Sequence, residues 1–157
     1  RYIDWLITVP LQMVEFYLIL LAVTAVSSGL FWRLLGASLV MLIFGFLGEA
    51  GLMDSTIAFI PGMAGWLYIL YEIFSGEAAS LSSNSQNLGG QFAFNSLRII
   101  VTAGWAIYPV GYFMGYLAGG TDMDTVNIIY NVADLVNKTA FGLAIWAGAR
   151  MDTAGDK

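Results

Sequence analysis

The sequence predicts an all-α fold, a polytopic bundle of helices in a membrane, and three observations lead there. Of the 157 residues, 59% are hydrophobic and 11% charged, against about 45–50% and about 25% in soluble domains. The apolar residues gather into five stretches, each near the roughly 20 residues a helix needs to cross a bilayer. Short breaks rich in Gly, Ser, Asn or Asp separate the stretches, as turns between helices require.

The first span runs from about Tyr2 to Val26 and ends at Ser27-Ser28-Gly29. The second covers about Phe31 to Leu52 and the third about Ile57 to Phe74. Ser75 to Gly90 follows, a Gly/Ser/Asn-rich run that reads as a flexible surface loop. The fourth span covers about Phe94 to Leu117 and the fifth about Val126 to Ala149. No internal repeat stands out, so residues 1–157 read as one transmembrane domain. The sequence has no initiator Met, and its segments are too long and too internal for a signal peptide, so it is expected to start partway through a longer protein.

Composition excludes several kinds of chemistry. With no cysteine and no histidine there is no disulfide framework, no usual zinc constellation and no triad built on a histidine base. No metal site is expected. A net charge of −5 gives no basic footprint for nucleic acid. The basic residues set the orientation: with Arg1 outside, Arg33, Arg98, Arg150 and Lys157 all flank cytoplasmic ends, as the positive-inside rule asks. The opposite connections carry Glu49, Asp54, Asp122 and Asp124. The Arg1 end is therefore expected outside and the C-terminus in the cytoplasm.

Lys138 lies deep in the fifth span, one helical turn after Asp134. An ionisable residue there costs about 2.5–3.5 kcal/mol on insertion scales and by default marks a functional site with a partner. Asp134, on the same face, and Asp4, in the first span, are the candidate partners. Arg1, Asp4, Thr8, Gln12 and Glu15 fall within roughly 80° of one another around the first helix and form one polar stripe. Asp4 and Glu15 are about 16 Å apart along the axis, too far to share a proton but suited to two stations of a relay. Asp4, near Arg1 and Lys138, is expected to be charged at rest. Glu15, among Val14, Phe16, Tyr17 and Leu18 without a local cation, is expected to be neutral. Pro10 between them removes one backbone donor.

Arg1-Tyr-Ile-Asp4-Trp5-Leu-Ile-Thr8-Val-Pro10-Leu-Gln12-Met-Val-Glu15, with Gly104-Trp105-Ala-Ile-Tyr108-Pro109 and Asp134-Leu-Val-Asn-Lys138, resembles the microbial (type 1) rhodopsins, the proteorhodopsins most of all. The resemblance covers essentially the whole chain and matches helices three to seven of a seven-helix rhodopsin fold, so the first two helices, and the histidine on the second that pairs with the acceptor aspartate, are expected to lie outside this sequence. It implies a light-driven outward proton pump, an ion transporter and not an enzyme, that carries all-trans retinal as a protonated Schiff base on Lys138. It makes Asp4 the counterion and proton acceptor, Asp134 the second counterion, Glu15 the cytoplasmic donor, Arg1 the arginine beside the counterions, and Thr8 part of the Asp, Thr, Glu pattern of outward pumps. Trp5, Trp105, Tyr108 and Tyr112 match the walls of the polyene slot, and Met41, Gly45 and Trp66 its ring end. Gln12 falls at the spectral-tuning position, where glutamine is similar to the blue-absorbing form. The implied setting is a bacterial inner membrane, with lipid and protons as partners and rings of protomers in the intact protein. Phe59, where some relatives have glycine, implies that no carotenoid antenna binds.

Other readings stand beside these. Aromatic residues at helical spacing are ordinarily packing residues, Gln12 alone reads as an interhelical hydrogen-bonding residue, and Glu49, Glu72, Asp122 and Asp124, at span ends or in loops, read as solvated. A sensory photoreceptor signalling through a transducer is the alternative function, although sensors in this family usually lack a carboxylate at the Glu15 position. A channel, or a chloride or sodium pump, is expected to alter the Asp4, Thr8, Glu15 set. A retinal-free membrane protein is the remaining reading. Gly104, Pro109, Gly111, Gly115 and Gly119 give the fourth span the breaker content of a segment that moves.

Overall fold

A computed structural model describes residues 1–155 of the chain. Lys157, placed on the cytoplasmic side by the charge distribution, lies outside the described residues. The chain folds into helix α1 (Tyr2–Val23), α2 (Ser28–Glu49), α3 (Ser55–Phe74), α4 (Glu77–Asn84), α5 (Leu88–Ile99), α6 (Ile107–Tyr112) and α7 (Met123–Gly155). Two π-helical turns, Ile100–Gly104 and Phe113–Leu117, flank α6 and join it to α5 in one segment. No strand occurs among the described residues.

α1, α2, the α3–α4 run and the α5-to-Leu117 segment are long and apolar enough to cross a membrane. α7 has the length, 33 residues or about 50 Å, but it carries Asp134, Lys138 and three asparagines. These are the groups that set it apart. It extends beyond the expected Val126–Ala149 span at both ends, as a helix longer than a hydrocarbon core of about 30 Å must.

Helix boundaries follow local chemistry. The Ser27 hydroxyl accepts from the Leu30 N–H (3.3 Å) to start α2. Asp54 accepts from the N–H groups of Thr56 and Ile57, both at 3.0 Å, to start α3. In lipid every backbone polar group must find a partner inside the protein, and proline leaves one carbonyl without its usual donor. At Pro109 the carbonyl so released, Trp105 O, is taken by the Tyr108 N–H at 3.1 Å.

The helices form an open arc. α1 packs on α2, α2 on α3, and the α5–α6 segment touches α3 and α1 before packing on α7. α1 and α7 have little backbone contact and meet through side chains. Phe16 is fully buried and sits edge-on to Phe94 (5.5 Å) and Phe141 (5.8 Å), tying α1, α5 and α7 together. Gly65 marks the closest crossing of α2 and α3. A Cβ there would stand 2.7 Å from Ala37 O and 3.0 Å from Met41 N. Small residues of this kind are what let membrane helices approach where no hydrophobic force separates protein from lipid.

The expected flexible loop at Ser75–Gly90 needs correction. It holds α4 and the first turn of α5, and its Ala78 and Ser82 are buried. Composition misleads here because the tether is electrostatic. Glu77 accepts from the Ser27 hydroxyl (2.7 Å) and pairs with Arg33, while Glu72, 3% exposed, pairs with Arg33 Nε at 3.1 Å and accepts from Tyr68 OH at 3.1 Å and from the Glu77 N–H at 3.1 Å. Glu72 is therefore buried and partnered, not solvated.

Gly65→Val is expected to force α2 and α3 apart and destabilise the protein by about 1–3 kcal/mol, measured by unfolding in mixed detergent micelles. Glu77→Gln, which weakens the tether to Ser27 and Arg33, is expected to raise hydrogen exchange in Ser75–Asn87 before it does so in α1 or α3.

Candidate functional site

The site is organised around Lys138. On α7, positions 134 and 138 lie one above the other, which puts Asp134 Oδ2 at 3.7 Å from Lys138 Nζ. The same nitrogen donates to Asp4 Oδ2 on α1. One ammonium thus sits between two carboxylates from different helices. Asp134 is the fixed member. It accepts from Trp5 Nε1 (2.8 Å) and from Tyr108 OH (2.6 Å), so three helices hold one carboxylate. Asn137 Nδ2 donates to Gly104 O at 3.0 Å, next to the first π turn. Tyr130 OH donates to Tyr108 O at 2.9 Å, locking α6 to α7.

Asp4 is placed differently. Its side chain is 49% exposed and that of Lys138 28%, against 16% for Asp134. Both open onto the gap between α1 and α7, among the exposed Ile3, Ile7, Leu135 and Val136. Thr8 belongs to the same edge, its hydroxyl donating to Asp4 O at 3.0 Å.

A cavity of about 100 Å³ begins at Lys138 and runs between the helices. Trp5, Gln12, Met41, Gly45, Trp66, Trp105, Tyr108 and Tyr112, the eight wall residues expected from the sequence, all line it with Lys138. Gln12 is 7% exposed and faces this cavity, so the polar stripe of α1 divides: Gln12 turns inward, Asp4 toward the gap and Glu15 elsewhere. Tyr2, Tyr130 and Asn137 also line the cavity and escaped the sequence reading, and Phe59, noted there only at the antenna position, lines it too. Phe59 stacks on Tyr112 at 5.4 Å and closes the lining beside Gly62. Only the adjacency of Asn137 to Lys138 and of Tyr2 to Arg1 could have flagged those two.

Arg1 lies at one end of the site. It pairs with Glu49, donates to Asn127 and to Tyr116 OH (2.9 Å), and its guanidinium carbon stands 4.8 Å from the Tyr130 ring centroid. The Glu49 side chain is 6% exposed, which corrects the expectation of a solvated residue at a span end. It is the acceptor that holds Arg1, and it also accepts from Tyr116 OH at 3.1 Å. Asp122 and Asp124 are exposed as expected.

Glu15 lies at the opposite end. It lines a second cavity, of about 310 Å³, that opens at the end of the bundle carrying Ser27 and α4. Along the bundle the order is Glu49–Arg1, then Asp4–Lys138–Asp134, then Glu15. Chemically, such a file can hold one cation between two anions at its centre and offer a proton acceptor on one side and a proton source on the other.

A rhodopsin-type helix bundle with a lysine facing two carboxylates is the class these features define, and the chain belongs to the bacteriorhodopsin-like protein family, which it matches over residues 1–151. It is similar to the blue-light absorbing proteorhodopsin of Gamma-proteobacterium Hot 75m4, 56% identical over 149 residues that cover 93% of this chain and 59% of that one. The green-light absorbing proteorhodopsin of Gamma-proteobacterium EBAC31A08 is 54% identical over 147 residues, covering 93% and 59%. Among solved structures, the blue light-absorbing proteorhodopsin from Med12 superposes with a TM-score of 0.81 at 57% identity, over 97% of this chain and 66% of that one. The Exiguobacterium sibiricum rhodopsin superposes with a TM-score of 0.84 at 32% identity, over 98% and 72%. The chain thus spans about three-fifths of the length of the curated relatives it matches. Its apolar helices and bacterial relatives make it a bacterial membrane protein in contact with lipid.

Glu49→Gln is expected to leave the Arg1 charge without its partner and to cost about 3–5 kcal/mol. Replacing both residues by methionine is expected to cost less than the single change, as read by unfolding of the protein in detergent.

Proposed function

We propose that this chain is the greater part of a light-driven outward proton pump, an ion transporter and not an enzyme, which binds all-trans retinal covalently through Lys138. The observation that carries the reading is Lys138 Nζ held between Asp4 and Asp134 at the mouth of an apolar, aromatic-walled cavity, with Glu15 in a separate cavity beyond it. These residues fit the group: a primary amine to form the linkage, a slot for a polyene, and two carboxylates to balance the positive nitrogen. Retinal, when bound, supplies the light absorption and the isomerisation that drives the cycle.

The chain's own residues set the proton path. Asp134, fixed by Trp5 and Tyr108, orients the Lys138 side chain and serves as its second counterion. Asp4, held by one ammonium contact, is the carboxylate free to accept a proton. Arg1, anchored by Glu49, lies on the side toward which the proton leaves. Glu15, in apolar surroundings, keeps a proton to give back from the opposite side. Moving one charge outward works against about 2.3 kcal/mol per 100 mV, so direction also requires that access switch between the two sides.

Orientation follows the basic residues, with Arg1 outside and the C-terminus in the cytoplasm of a bacterial inner membrane, and the intact protein forms homo-oligomers. Gln12, buried in the cavity wall, places absorption toward the blue. The exposed Asp4 and Lys138 and their apolar neighbours on α1 and α7 favour two further helices that close the gap and complete a seven-helix domain.

The test is light-induced pH change in cells expressing the full protein with retinal, with and without a protonophore, beside Glu15→Gln. Acidification of the medium abolished by the protonophore is expected, with turnover slowed about 10²-fold or more in the variant. A coloured pigment that moves no protons would instead make it a photosensor.

A further inference from the structure

The pump reading leaves the second cavity with one role, housing Glu15, yet a second acidic side chain lines it. Resting on that reading, we infer that Asp152 is the proton-loading group of the cytoplasmic half, taking protons from bulk water and passing them through the cavity to Glu15.

Position is the first argument. Asp152 and Glu15 are the titratable residues in the cavity lining among the described residues, the rest being small or aliphatic, including Ile19, Ala93 and Gly148. From the level of the Asp4–Lys138 pair, Glu15 lies eleven residues on along α1 and Asp152 fourteen residues on along α7, about 16 and 21 Å. Asp152 is therefore about 5 Å nearer the open end. The cavity, about 310 Å³, has room for several waters between two polar partners.

The second argument is how closely the backbone is cut to fit this carboxylate. A Cβ on Gly89 would stand 2.1 Å from Asp152 Oδ1 and 2.4 Å from Gly148 O, and a Cβ on Gly148 would stand 2.6 Å from Gly89 O. Glycine at both positions lets α5 and α7 cross at backbone distance, with the carboxylate set against the first turn of α5, where the helix dipole favours a negative charge. Arg150 does not line the cavity and lies over the Trp146 ring at 5.3 Å.

The third argument is kinetic. At a diffusion-limited rate constant of about 10¹⁰ M⁻¹s⁻¹ and a proton concentration of about 10⁻⁷ M, one fully exposed group meets about 10³ protons per second. Glu15, in the cavity lining about 5 Å farther from the open end than Asp152, meets fewer. A carboxylate at the mouth raises capture without changing the affinity of the donor. The step balances simply: the Asp152 carboxylate takes a proton from bulk, releases it to a cavity water, and the Glu15 carboxylate left by its own donation receives one from that water.

The experiment uses the full retinal-bearing protein in lipid vesicles. After a flash, Asp152→Asn is expected to slow proton uptake about tenfold or more, Asp152→Glu to restore it, and a small permeant weak acid such as azide to rescue the asparagine variant. Ala149→Phe, which places a ring in the cavity lining, is expected to slow uptake similarly, so the test survives a failure of one variant to fold. A separate readout uses the protein without retinal: the deuterium exchange rate of the Glu15 carboxyl stretch, identified by its loss in Glu15→Gln, is expected to fall about tenfold in Asp152→Asn. Uptake and exchange at the original rates in Asp152→Asn, with uptake slowed in Glu15→Gln, would overturn the role of Asp152 and leave the donor reading intact. An original protein that takes up no protons after a flash would overturn the pump reading and with it the loading role.

Discussion

The pairing of the Lys138 ammonium with Asp4 and Asp134 is the constraint on which the arrangement depends. A cation cannot remain uncompensated in a medium that solvates ions poorly, so α1 and α7, which share little backbone contact, must be held where their charged groups meet. That requirement explains the subsidiary contacts. Trp5 and Tyr108 spend their polar hydrogens on Asp134, Tyr130 and Asn137 fix the backbone of the α5–α6 segment, and Arg1 is held in turn by Glu49, Tyr116 and Asn127. Apart from Arg1 Nε, which is buried without a hydrogen-bond partner, the polar groups named here are met by others that are themselves positioned.

The two carboxylates beside Lys138 differ because their surroundings do. Asp134 has two neutral donors in addition to the ammonium and is mostly covered. Asp4 has the ammonium and an open flank. The two carboxylates thus differ in hydrogen-bond number and in exposure, and not in kind.

What was legible in the sequence was whatever stood out against apolar surroundings. Lys138, Asp4, Asp134 and Glu15 were visible because ionisable residues inside spans are rare, and the spans themselves because lipid demands about twenty apolar residues in a row. The rest was hidden for physical reasons. Glu49 and Glu72 sit at helix ends, where a solvated and a buried carboxylate have the same sequence signature, and what distinguishes them is Arg1 or Arg33 arriving from another helix. α4 has the composition of a loop because Glu77 and Ser27, fifty residues apart, hold it. Tyr2 and Tyr130 could not be told from ordinary packing aromatics, since the cavity they line is formed by five separate helices.

The two π turns beside α6 carry a consequence of their own. Each fits one more residue into a turn than an α-helix does, so the segment runs as three pieces whose faces are out of phase. Trp105, just after the first wide turn, and Tyr108 and Tyr112, within α6, share the cavity face, while Arg98 in α5 points to Phe74 (4.7 Å). The middle third of the segment is thereby set at its own rotation about the axis, so that one continuous helix serves the cavity with its centre and α3 with its start.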